Sequence, residues 1–277
     1  MKKMVSKILV IMLLVCPLLT GCKSDPEYDK AKELFDAQVT RIELQIEEKE
    51  KEIKNAEELL SFDKEELDKS TETSLKNTIE SAKKIEIDIP KMPREVKDIN
   101  EKTKVLEAID ITEEINDLKS AQKLLEDSRK KYELLLNPTS DFIIERLKNV
   151  KDIDKIEAVT EEKDPNGNLN KPGGYTTQVY FSSPLVKDEY GLFTGDVIED
   201  GTDCGGSVEV YKTVSEAKKR NDYLSAFDGG ILSGGAHTVY GSIIIRTSGE
   251  LTASQQKALE DAILNALTEL WFYKTRG

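Results

Sequence analysis

Histidine occurs once in this 277-residue sequence, tryptophan once and cysteine three times. A single histidine, His237, and three scattered thiols, Cys16, Cys22 and Cys204, exclude the Cys-rich ligand sets of structural zinc. They also exclude a disulfide framework. Positive charge is short as well: 40 Lys and Arg stand against 53 Asp and Glu, a net charge of −13. That balance repels phosphate backbones and excludes nucleic acid as a partner. It gives no broad electrostatic grip on anionic lipid. Long apolar runs are missing. The longest, Ile8 to Leu19, is about twelve residues, and a membrane span needs roughly 20. Glycine is absent from residues 26–136, which therefore lack the commonest punctuation of turns.

What is present at the N-terminus has three zones. Lys2, Lys3 and Lys7 form a positive region, Ile8 to Leu19 an apolar one, and Leu19-Thr20-Gly21-Cys22 follows. This is the layout of a secretory signal. Its last four residues resemble the lipobox of bacterial lipoproteins. The resemblance implies removal of residues 1–21 and a diacylglyceryl group on Cys22, the lipid-attachment residue. Each buried methylene contributes about 0.8 kcal/mol, so one chain holds marginally and two hold stably. The expected location is the cell membrane, lipid-anchored, on its extracytoplasmic face. Loss of Lys2, Lys3 and Lys7 with the leader leaves 37 basic against 53 acidic residues, a net charge of −16. Cys204 is then the only free thiol, and no disulfide can form within the mature chain. An exported, thiol-poor, lysine-rich chain points to a Gram-positive surface.

Composition changes near Asn137-Pro138, where a domain boundary is expected: residues 22–137 a helical coiled-coil-like stalk, 138–277 an α+β domain. In the first part Phe35, Val39, Ile42, Ile46, Lys49, Ile53, Ala56 and Leu60 alternate spacings of four and three. This is a heptad seam with one lysine defect. A second seam runs through Leu118, Ala121, Leu125, Ser128, Tyr132 and Leu135. The two are expected to pack on each other antiparallel, giving a helical hairpin or three-helix bundle. Thr73–Lys84 reads as a short helix between them. Pro90 and Pro93 prevent helix across Ile89–Pro93.

The second part predicts the order α-β-β-β-α-β-α. Thr139 or Ser140 caps a helix through Lys148. Strand candidates are Ile153–Thr160, Tyr175–Ser182, Ser207–Lys212 and Thr238–Thr247, the second and fourth with period-two alternation. Thr213-Val-Ser-Glu216 reads as a capping box opening a helix to Phe227, with Gly229 ending it. Thr252-Ala-Ser-Gln255 opens the last helix, whose apolar stripe is Leu259, Ala262, Ile263, Ala266, Leu267, Leu270 and Trp271. A mainly antiparallel sheet with packed helices is the expected architecture.

Residues able to carry chemistry are few. Cys204 and His237 are formally a Cys–His nucleophile pair. A cysteine beside glycines reads more simply as packing at a tight bend, and a lone histidine near a Gly-rich loop as a surface or capping residue. Asp164, Asn166 and Asn168 offer oxygens at alternate positions, as calcium loops do. However, Leu169 stands where an EF-hand loop needs glycine and Tyr175 where it needs glutamate. Asp-Pro and Asn-Gly both favour turns, and a turn-rich loop is expected. The pairs Gly173-Gly174, Gly205-Gly206, Gly229-Gly230 and Gly234-Gly235 fit no phosphate-binding motif and read as turns. No catalytic residue, metal or cofactor is therefore expected.

Several stretches carry a further resemblance. They are Asp164-Pro-Asn-Gly-Asn-Leu-Asn170, Gly173-Gly-Tyr-Thr176, Val179-Tyr-Phe-Ser-Ser183, Gly205-Gly-Ser-Val-Glu-Val-Tyr-Lys-Thr213, Tyr223-Leu-Ser-Ala-Phe-Asp-Gly-Gly230 and Leu251-Thr-Ala-Ser-Gln-Gln256. Over roughly residues 140–270 the chain resembles a group of uncharacterised Gram-positive (Firmicutes) surface lipoproteins with a C-terminal α+β domain. Some of these carry labels borrowed from extracellular-matrix-binding proteins. The resemblance implies location and architecture and transfers no catalytic residue. The expected role is a non-enzymatic surface lipoprotein. Its helices are a spacer, and its α+β domain meets a wall polymer or an envelope or host protein. Two alternatives stand beside it: an envelope-acting enzyme using Cys204 and His237 or clustered carboxylates, and a structural or regulatory subunit working through the helical half.

Overall fold

The protein is described here by a computed structural model covering residues 25–230 and 234–270. The leader, Cys22 and Trp271 lie outside the described residues. The fold is α+β. The first part consists of α1 (Pro26–Ser61), α2 (Ser70–Lys83), α3 (Val96–Glu107) and α4 (Thr112–Leu134). Then come α5 (Ser140–Leu147), β1 (Ile156–Ala158), β2 (Thr177–Ser182) and β3 (Gly205–Val210). The chain continues with α6 (Val214–Ser225), β4 (Ala236–Tyr240), β5 (Ile243–Thr247) and α7 (Ala253–Thr268). Two compact units divide it: residues up to Glu48 with Glu86–Thr112, and Lys49–Ile85 with Glu113 onward. No helix among the described residues is long and apolar enough to cross a membrane.

In the first unit, Ala31, Phe35 and Ile42 of α1 bury against Ile99 and Leu106 of α3. Ile89 and Met92, from the proline-broken segment, pack beside them. Arg41 donates to the Leu106 carbonyl at 2.8 Å, and Gln45 to Asp110 at 2.9 Å. Both contacts join positions 65 apart, so α3 runs parallel to α1. This helix went unread in the sequence. Its stripe is short: only Ile99, Thr103 and Leu106 are buried.

In the second unit, Ile53 and Ala56 of α1 share a core with Leu75, Ile79 and Ala82 of α2 and Leu118, Ala121 and Leu125 of α4. The lysine defect in the seam has a structural cause. Lys49 is buried and donates to the Ile85 carbonyl at 2.8 Å, beyond the C-terminal end of α2. A cation is favoured at that end of a helix. Lys83 pairs with Glu57 at 2.5 Å, so α2 runs antiparallel to α1.

The expected antiparallel packing of the two seams does not occur. Gln122 donates to Glu52 at 3.1 Å and Arg129 to the Leu59 carbonyl at 2.8 Å. Both contacts span 70 positions, so α4 runs parallel to α1. The reason is topological: α2 makes the return run, and α4 is the third leg.

The sheet has five strands in the order β1-β2-β3-β5-β4, with every neighbouring pair antiparallel. One face is apolar. Val179, Phe181, Val208, Val210, Ile243 and Ile245 bury against Ile143 and Leu147 of α5 and Leu259, Ile263 and Leu267 of α7. Leu135, just beyond α4, belongs to the same core. Its carbonyl accepts from the Ser242 amide at 3.1 Å, and the Asn137 amide donates to the Ser242 hydroxyl at 2.6 Å. The change of composition at Asn137-Pro138 thus falls inside the second unit.

Local signals set the ends of the later elements. Thr139, Thr213 and Thr252 are N-caps accepting from the amides of Phe142, Glu216 and Gln255. At Thr252 a full capping box forms. The single strand expected over Thr238–Thr247 is instead the hairpin β4–β5, with Tyr240 opposite Ile243. Gly241 makes its turn at φ +56°, a conformation that needs glycine.

Candidate functional site

The second face of the sheet is polar at its centre. Period-two alternation puts Gln178 and Tyr180 of β2, Ser207 and Glu209 of β3, and Ile244 and Arg246 of β5 on this face. The helix α6 and the loop between β1 and β2 supply its other partners. Glu209 is fully buried, and its carboxylate accepts from two arginines and a tyrosine. Arg246 reaches Oε1 at 3.0 Å, and Arg220 of α6 reaches Oε2 at 3.1 Å and Oε1 at 3.3 Å. The Tyr211 hydroxyl donates to Oε2 at 2.8 Å. Burial pushes the Glu209 carboxyl up, but Arg246 and Arg220 outweigh it and hold the group below its ordinary range. Burial, and then the Glu209 carboxylate, push the Tyr211 phenol well up. A carboxylate so held carries no proton to give and has its lone pairs engaged. It fixes α6 to the sheet.

Around this centre the calcium-like loop folds onto itself. Asp164 accepts from the Tyr175 hydroxyl, from the Asn166 amide at 3.1 Å and from the Leu169 amide at 2.8 Å. The Asn166 side chain donates to the Tyr180 hydroxyl at 3.2 Å. Asn168 is exposed, and its carbonyl accepts from the Lys171 amide at 3.2 Å. The loop is a turn in which the Asp164 carboxylate is occupied by local donors. No group of three or more His, Cys, Asp or Glu among the described residues is placed to hold a metal ion. Two buried groups on this face, Ser207 Oγ and Gln178 Nε2, lack a partner among the described residues.

Cys204 and His237 are not brought together. His237 pairs with Arg246, which pairs with Ser207, so two strand spacings and three residues separate it from Cys204, roughly 14 Å. The imidazole lies between Asn221 at 2.9 Å and Asp228 at 3.2 Å. It thereby ties β4 to α6 and the turn after it. The Cys204 sulfur is buried 3.4 Å from the Gly201 carbonyl, and burial pushes its thiol up to about 11. It is a protonated, inert thiol at neutral pH.

Gly205-Gly206 is a close approach within β3 and not a turn. A Cβ on Gly206 would press into the Arg246 carbonyl oxygen and stand 2.6 Å from Phe181 Cζ. Sequence reasoning missed Glu209, Arg220 and Arg246. The available signal was Ser207-Val-Glu-Val-Tyr211, a glutamate inside a strand flanked by valines. No family profile, curated protein or solved structure matches this chain.

Proposed function

We propose that the protein is a lipid-anchored surface lipoprotein of the cell membrane, non-enzymatic, presenting its α+β domain to an envelope or extracellular partner from a helical spacer. The observation that carries this reading is Leu19-Thr20-Gly21-Cys22 behind a lysine-tipped apolar run. Helix α1 begins at Pro26, four residues after Cys22, and at 1.5 Å per residue its 36 residues span about 54 Å. A helix of that reach beside the acylation site suits a spacer. The buried thiol of Cys204 and the separate engagement of His237 favour binding over Cys–His chemistry. The partner classes are a wall polymer or an envelope or host protein.

The test is mass spectrometry and fractionation of the native protein beside Cys22→Ala. Acylated Cys22 at the mature N-terminus, with loss of membrane association in the variant, is the expected result. An intact leader or an unmodified Cys22 sulfur would overturn the reading. Enrichment of one wall or envelope component on the intact mature chain tests the binding half separately.

A further inference from the structure

Arg129 of α4 is buried without an acidic partner. Only 4% of it is exposed. Its one hydrogen bond among the described residues runs from Nη1 to the Leu59 carbonyl, in the last turn of α1, at 2.8 Å. Its Nε is buried and has no acceptor among the described residues. By contrast, Arg220 and Arg246 share the Glu209 carboxylate. A guanidinium stays charged at any physiological pH and offers five N–H donors. Such a charge, when buried, is ordinarily paired. The carbonyl end of α1 lends it the partial negative charge of a helix C-terminus, roughly half a unit. That is less than a counter-ion.

Arg129 belongs to the lining of a pocket of about 320 Å³ between the end of α1 and the second half of α4. Small-molecule sites run from roughly 300 to 1,000 Å³. Leu59 and Phe62 give this one apolar walls. Phe62, just past α1, is 52% exposed, so half of an aromatic residue stands uncovered at the pocket. Lys64 and Lys130 also line it. They pair with Glu133 at 3.0 Å and Glu126 at 3.8 Å, and all four side chains are more than half exposed. Exposed pairs hold weakly in water, so both lysines can turn to a ligand at little cost. In a chain of net charge −13, three cations against two carboxylates make this lining positive.

We propose that this pocket binds a small organic anion, a carboxylate or phosphate group carried on a short apolar or aromatic body. The anionic end pairs with Arg129, assisted by Lys64 and Lys130, and the body packs on Leu59 and Phe62. A guanidinium matches either anion, because two parallel N–H bonds fit two oxygens of one group. An uncharged ligand leaves the arginine unmatched. The site lies wholly within the second unit and gives the helices a ligand that a spacer does not need. It is independent of whether Cys22 is acylated.

The test is titration of the full chain with benzoate, phenyl phosphate and inorganic phosphate, followed by calorimetry and ligand-observed NMR. Benzyl alcohol is the uncharged control. Saturable binding of benzoate or phenyl phosphate is expected, with benzyl alcohol weaker by about tenfold or more. The stronger of the two anions tells carboxylate from phosphate. Phe62→Ser and Lys130→Glu change exposed positions that the fold tolerates. Phe62→Ser is expected to weaken both aromatic anions severalfold and leave inorganic phosphate unchanged. Lys130→Glu is expected to weaken every anion severalfold, less so at high salt. Arg129→Gln is expected to abolish binding, with circular dichroism checking that the helices persist. No saturable binding of either aromatic anion would overturn the proposal, including the case in which inorganic phosphate alone binds. So would equal affinity for benzyl alcohol, or an affinity for the aromatic anions that either exposed variant leaves unchanged.

Discussion

Arg246 and Glu209 meet at 3.0 Å diagonally across β5 and β3, although neither is the other's direct partner in the strand register. The pair, joined by Arg220 from α6, is a buried ion cluster in the sheet face opposite the apolar core. Removing one member of such a cluster strands the others in a poorly solvated place. Glu209→Ala is therefore expected to destabilise the second unit by about 3–5 kcal/mol, read as a lowered urea midpoint. Arg246 keeps some solvent contact, which favours the lower end of that range. An unchanged midpoint would mean that the carboxylate contributes nothing to holding α6.

The same cluster sets a pH dependence with a definite sign. Glu209 is held below its ordinary value of 4.5 in the folded protein. The folded state therefore binds fewer protons at this site than the unfolded chain does near that pH. Its contribution is complete above the ordinary glutamate range and is lost as pH falls through the folded value. The difference in unfolding free energy between the natural protein and Glu209→Gln should shrink as pH falls from 7 toward 3. A difference that grows in acid would contradict the assignment.

What the sequence made legible follows from which physical signals are directional. Caps are: Thr213 and Thr252 each mark a helix start, as does Thr139, one of the two residues expected to cap there, although the capping box closes fully at Thr252 and not at Thr213. Heptad seams are not. Phe35 to Leu60 and Leu118 to Leu135 declare buried faces, but a seam reads the same whichever way its partner runs. The parallel course of α1 and α4 was therefore invisible until α2 was seen to make the return. The β4–β5 hairpin was hidden for a similar reason. Ile243, Ile244 and Ile245 are all buried, so alternation could not reveal that Val239 shares a face with Ile244. The Glu209 cluster needs Arg220 and Arg246, 11 and 37 positions away, and nothing local announces contacts at that range.

Cys204 should behave as an inert thiol. With its pKa raised to about 11, only about one thiol in a thousand is ionised at pH 8, and burial blocks access besides. Alkylation of Cys204→Ala and natural protein, both lacking the Cys22 thiol, isolates this residue. The native rate is expected to be about 100-fold or more below the rate in denaturant. Rapid modification of the folded protein would show that the segment before β3 opens readily.

Gly206 tests the packing of the sheet. The methyl of Gly206→Ala must enter space held by the Arg246 carbonyl and the Phe181 ring. The carbonyl belongs to a paired strand and cannot withdraw without breaking the β3–β5 ladder. A loss of about 1–3 kcal/mol is expected, since a well-packed interior resists added volume. Denaturant titration checks it, and a neutral substitution would show that β3 shifts more freely than its two-sided burial implies.

The parallel packing of α1 and α4 can be tested by chemistry at two positions. Glu52 and Gln122 touch at 3.1 Å through long side chains, so cysteines there lie within reach of a short bismaleimide. Lys130 stands eight residues further along α4, about 12 Å at 1.5 Å per residue, and is exposed. In a chain carrying Cys204→Ala, the pair Glu52→Cys with Gln122→Cys should link in high yield and Glu52→Cys with Lys130→Cys in low yield. Moving the first cysteine toward the end of α1, to Leu59, should reverse the preference, because parallel helices advance together. An antiparallel arrangement would carry the favoured partner back toward Ile115 instead, so the direction of that change decides the topology whatever the absolute yields.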